Sequence, residues 1–85
     1  MNVTIKFFAS VREKLGSGGE QLALPDGVAT VGQLRALLVQ RGGAWEEALG
    51  GNRALRMACN QVMCDEKTPL ESGAEIAFFP PVTGG

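Results

Sequence analysis

Residues 75–85 read Glu75-Ile76-Ala77-Phe78-Phe79-Pro80-Pro81-Val82-Thr83-Gly84-Gly85, and the way this stretch divides decides the fold. Glu75 to Phe79 alternates as a strand, with Ile76 and Phe78 directed to a core and Ala77 and Phe79 to the opposite face. Pro80 and Pro81 lack the N–H that a ladder needs, so pairing is expected to stop at Phe79. Paired prolines hold φ near the polyproline II value and keep the preceding residue extended. Residues 80–85 are therefore expected to project as a flexible tail from a folded domain of residues 1–79. Gly84 and Gly85 have no Cβ, so another protein's backbone can close around them, and the α-carboxylate of Gly85 is the chemically distinctive group of the stretch. A frayed terminus of no function has the same composition.

Outward from this stretch, the chain predicts the sheet that the last strand joins. Val3, Ile5 and Phe7 alternate with Thr4 and Lys6 as a half-buried strand, which directs Phe8 to the face away from the core. Val11 to Leu15 predicts a short helical turn, Gly16 to Gly19 a flexible loop, and Glu20 to Leu24 a second strand that completes a wide hairpin. Thr30 and Gln33 have the spacing of a capping box. From there Val31, Leu34, Leu37 and Leu38 form one apolar helical face, Gln33, Arg35 and Gln40 lie elsewhere, and Gly42-Gly43 supplies a stop. Trp45 to Leu49 predicts one more helical turn, with Trp45 capping the core. Leu55, Met57 and Cys59 alternate with Arg56, Ala58 and Asn60 as a third strand. Asn60-Gln61 reads as a turn into a short strand through Val62 and Met63, and Leu70 as an apolar plug in a loop.

Hairpin, helix, strand, short strand and strand make an α+β roll, a mixed sheet with one main helix packed on one face. With the first and last strands adjacent at its centre, Phe8 and Phe79 share the open face, where Met63 joins them. Large apolar groups beside a projecting tail read as a docking surface.

Composition limits the partners. Eight Lys and Arg against nine Asp and Glu in 85 residues leave no basic footprint for nucleic acid or an anionic membrane. No long apolar run or export signal is visible, so the expected location is cytoplasmic. The chain has no His, and Cys59 and Cys64 alone cannot complete a four-ligand metal site. Cys59 reads as a small buried core residue, and no basic group adjoins Cys64 in sequence to activate it.

The chain resembles the small, sulfur-carrying subunits of molybdopterin synthases, within the ubiquitin-like β-grasp group. The resemblance runs from end to end. It is carried most specifically by Phe7-Phe8-Ala9-Ser10-Val11-Arg12-Glu13 and by Ala77 to Gly85, with support from Asn60-Gln61 and from Leu70 ahead of Gly73. Ala74, where the family usually has an acidic residue, and Cys59, at a usual valine-like position, depart from the pattern.

The resemblance implies a carrier with no permanently bound cofactor and no catalysis of its own. An adenylating activating enzyme would use ATP to activate the Gly85 carboxylate, and a sulfur donor would convert it to a thiocarboxylate. The large synthase subunit, expected in a heterotetramer with this one, would then receive the tail and pass the sulfur to cyclic pyranopterin monophosphate. Phe8, Met63 and Phe79 match family docking positions, Pro80, Pro81, Val82 and Thr83 belong to the inserted tail, and Gly84 and Gly85 to its reacting end. Three other readings fit the same tail: sulfur carriage for a thiamin-type product, a ubiquitin-like modifier joined to lysines, and a non-covalent binding module.

Overall fold

Thr30 starts the longest helix as its spacing with Gln33 requires. In a computed structural model that describes residues 1–51 and 54–81, the Thr30 hydroxyl accepts from the Gln33 amide at 3.2 Å, and the Gln33 side chain accepts from the Thr30 amide at 3.1 Å. The helix, α2 (Val31–Val39), buries Val31, Leu34 and Leu38 completely. Arg35 corrects the expected polar side. It stands four residues after Val31, inside the apolar stripe, and is only 8% exposed. Burial is tolerated because its guanidinium donates to the carbonyls of Leu49 (2.6 Å) and Gly50 (2.7 Å) and to Glu66 (2.9 Å). The two carbonyls stand at the end of α3 (Ala44–Leu49), where helical acceptors lack intrahelical donors.

The strands are β1 (Asn2–Phe7), β2 (Gly19–Ala23), β3 (Arg56–Cys59), β4 (Val62–Cys64) and β5 (Glu75–Phe79). Among the described residues they form one mixed sheet in the order β2-β1-β5-β3-β4. β1 and β5 run parallel, with Ile5 opposite Ile76 and Phe7 opposite Phe78, and the other pairs are antiparallel. β5 is thus the central strand, and the expected adjacency of the first and last strands holds.

Two local readings change. The first helical turn, α1 (Ala9–Leu15), begins two residues earlier than Val11, because Phe8 is still extended and its carbonyl already accepts from the Arg12 amide at 3.3 Å. The expected loop of residues 16–19 loses Gly19 to β2, where it pairs with Lys6. A Cβ at Gly19 would run into the Ile5 carbonyl oxygen, so the glycine permits close strand approach.

The helices α1, α2 and α3 contribute Val11, Val31, Leu34, Leu38, Ala48 and Leu49 to the same core as Val3, Ile5, Phe7, Ile76 and Phe78. All three therefore cover one face of the sheet. Phe7 stacks against Phe78 with ring centres 6.2 Å apart and meets Trp45 edge-on at 5.6 Å. Trp45 carries the Arg41 guanidinium 4.4 Å from its ring centre, and Arg41 makes two bonds to Glu20 at 2.7 and 2.9 Å. Leu70 is buried as the expected plug.

Hydrogen bonds from Arg41 hold the Glu20 carboxyl below the usual glutamate range, against the opposing effect of partial burial. A depressed folded value means stability that is present above the ordinary glutamate pKa and lost as pH falls through the lowered one. Glu20→Gln should therefore be less stable than wild type at pH 7 by up to about 1 kcal/mol, as expected of a partly exposed pair. Urea titrations across the acid range should show the two proteins converging as pH falls. A gap that persists in acid would remove the ion pair as its cause.

Candidate functional site

The helices leave the second sheet face bare, and the registers fix what it displays. One row crosses four strands as Lys6, Ala77, Ala58 and Met63. A second pairs Arg56 with Phe79 and continues toward Phe8, whose amide donates to the Phe78 carbonyl at 3.2 Å. Phe8 is 47% exposed and Met63 57% exposed, while Phe79 is half-buried. The three residues expected on the open face are on it.

Between these groups lies a concave groove of about 710 Å³, lined by Phe8, Ala58, Ala77, Phe79, Pro80 and Pro81, with Lys6, Ala9, Gln61 and Glu75 also on its wall. Ala58 and Ala77 make its floor, because a methyl group fills little of the space between larger neighbours. Lys6 and Glu75 neutralise each other at 3.2 Å. β5 ends at Phe79 as the prolines require, and Pro80 and Pro81 stand half-buried at the groove wall. Val82, Thr83, Gly84 and Gly85 lie outside the described residues.

Two backbone features shape the groove. Ala9 adopts φ 53, a left-handed conformation that L-residues with a Cβ visit at a cost of about 1–2 kcal/mol, directly after the extended Phe8. It turns the chain into α1 only after β1's alternation has directed Phe8 outward. Asn60 (φ 51) and Gln61 (φ 67) form the tight two-residue connection from β3 to β4, where both central residues require positive φ. Sequence reading found the turn and missed its second use. The Asn60 side chain accepts from the Glu75 amide at 2.9 Å, and the Asn60 amide donates to the Glu75 carbonyl at 2.8 Å. Asn60 thereby pins the start of the strand whose other end carries the tail. An Asn at a left-handed turn position with alternating apolar strands on both sides was the available sign.

The two cysteines are free and half-buried. Burial, then the nearby Cys59, pushes the Cys64 thiol up, against a hydrogen bond with Thr68. Cys64 is thus an unactivated thiol, in keeping with the reading of its neighbours.

A mixed sheet with helices on one face and a bare apolar face leading into the C-terminal strand defines a ubiquitin-like β-grasp protein. Known proteins agree. The ThiS family matches residues 5–85, and the chain belongs to it. It is similar to the molybdopterin synthase sulfur carrier subunit of Haemophilus influenzae, at 40% identity over 83 residues that cover 98% of this chain and 99% of that protein. Among solved structures it is similar to SAMP1 from Haloferax volcanii, named a small archaeal modifier protein, with TM-score 0.81, 30% identity and full coverage of both chains. It also resembles a chain in the complex of subunits 1 and 2 of molybdopterin-converting factor from Helicobacter pylori 26695, with TM-score 0.70, 29% identity and full coverage of both chains.

If Asn60 anchors β5, Asn60→Ala should lower stability by about 1–2 kcal/mol, combining an Ala in the left-handed region with a lost hydrogen bond. Asn60→Gly should lose less, since it keeps the turn geometry. Denaturant midpoints for both variants check the order, and an unchanged Asn60→Ala would remove the anchor.

Proposed function

We propose that this chain is the sulfur carrier subunit of a molybdopterin synthase, with residues 1–79 as the presenting domain and residues 80–85 as the carrier tail. What carries the reading is the continuity from Phe79 through Pro80 and Pro81 along the apolar groove, in a chain 40% identical over nearly its whole length to a protein of that name. The open face docks on the large subunit through Phe8, Met63 and Phe79, while Val82, Thr83 and Gly84 bring Gly85 to the reaction. A cytoplasmic location goes with this role.

The chemistry follows from the carboxylate. A carboxylate oxygen is a poor leaving group, so a Gly85 oxygen first attacks the α-phosphorus of ATP in an activating enzyme and pyrophosphate leaves. Hydrosulfide delivered by the donor then attacks the acyl carbon, AMP and a proton leave, and a thiocarboxylate remains on the main chain. The large subunit directs that sulfur onto cyclic pyranopterin monophosphate. No side chain at Gly85 crowds the acyl carbon, and the partners supply the acid and base groups. ATP is a co-substrate of the activating enzyme, and the carrier itself holds no permanent cofactor.

A second reading, attachment to lysines as a modifier, draws on the likeness to SAMP1. It shares the adenylate and differs in the acceptor, so one experiment separates the two. Intact-mass spectrometry after co-expression with an activating enzyme and a sulfur source should show one oxygen replaced by sulfur at Gly85, absent when Gly85 is deleted. Conjugates to other proteins in place of that shift would favour the modifier, and an unmodified carboxylate would count against both.

Phe79→Lys should keep the fold and weaken large-subunit binding by at least about tenfold, the loss expected from burying one phenylalanine. Titration calorimetry and circular dichroism check the two halves. An unfolded variant would mean that Phe79 belongs to the core.

A further inference from the structure

Among the described residues, the apolar face carries one charge without a partner, Arg56. Arg56 opens β3, and its register partner is Phe79, so its side chain stands on the open face beside that ring. Three other cations are matched: Lys6 by Glu75, Arg35 by Glu66 and two backbone carbonyls, and Arg41 by Glu20 and Trp45. Arg56 is exposed, and among the described residues its guanidinium has no carboxylate, hydrogen-bond or ring partner. The acid on this face, Glu75, lies at the opposite end of β5 and is held by Lys6.

In the free protein water solvates Arg56 at no penalty. A partner that covers Phe79 must also cover or flank Arg56, and an unpaired guanidinium pressed into an apolar contact is strongly disfavoured. We infer that Arg56 is a specificity-determining residue of the docking face, and that the face accepts a protein partner with an apolar surface and an Asp or Glu carboxylate opposite Arg56. A carboxylate matches the planar fork in two parallel hydrogen bonds. Surfaces with the same apolar shape and a neutral or basic residue at that point are rejected.

The charge also orients the complex. The Glu75 end of the face is already neutral, so an acidic group gains only at the Phe79 end, which is the end where Pro80 begins. The acid of the partner therefore marks where the tail enters. This inference rests on the proposed function, under which the partner is the large synthase subunit.

The test is calorimetric and stopped-flow titration of the full chain with the large subunit from the same organism, at low and at high salt, with circular dichroism to establish that each variant is folded. Arg56→Glu should weaken binding by at least about tenfold, in line with directly facing charge pairs. Arg56→Lys should recover part of the affinity, since it keeps the charge and loses the fork. The association rate of wild type should fall with salt more steeply than that of Arg56→Gln. Wild-type affinity and salt dependence in Arg56→Glu would overturn the inference and leave the proposed function standing. A wild-type chain that fails to bind the large subunit would overturn both. Self-association that disappears in Arg56→Glu would make a second copy the occupant and overturn the inference as stated.

Discussion

The parallel pairing of β1 with β5 is the constraint on which the rest depends. Parallel neighbours cannot be joined by a tight turn, so the intervening chain must cross over, and here it contributes β2, the helices, β3 and β4. Phe7 stacked on Phe78 supplies the buried centre of that pairing. The same register determines the opposite face. Because successive side chains alternate, packing Phe7 and Phe78 inward sends Phe8 and Phe79 outward together. Core and groove are two consequences of one alignment, and a one-residue slip would exchange them.

Much of this was legible because it depends on local periodicity. The alternation of residues 3–7 and 75–79, the Thr30–Gln33 spacing and the Asn60-Gln61 turn each report a short-range preference that the tertiary structure then satisfies. Phe8, Met63 and Phe79 could be assigned to one face for the same reason. Arg35 could not, because its burial depends on carbonyls fourteen and fifteen residues away and on Glu66, none of which its own helix announces. Gly19 read as loop material because its purpose is the approach of Ile5 from another strand. The start of α1 at Ala9 is not visible in the local pattern because it depends on Ala9 holding a conformation that its residue type disfavours.

The groove shows how composition sets depth. Ala58 and Ala77 are buried although they lie on the bare face, since Phe8, Phe79, Pro80 and Pro81 form the groove wall around them. Larger residues at either position would fill the floor and leave a flat surface. Alanine contributes little to core stability, so the fold draws its hydrophobic stabilisation from the helix-covered side and leaves the other side shaped for contact. The division explains how the domain keeps a core while exposing Phe8 and Met63 on its other face.

β5 is fixed at both ends by different means. Asn60 holds Glu75 through two hydrogen bonds, and Pro80 and Pro81 terminate the ladder after Phe79. A strand so bounded is held in one register relative to the open face. The position of the tail base relative to Phe8, Met63 and Arg56 is then a property of the sheet itself. Under the proposed carrier role this matters more than any reactive side chain. If partners provide activation and transfer, what the carrier must supply is the same starting point for its tail in each encounter, and the central strand of a mixed sheet provides one.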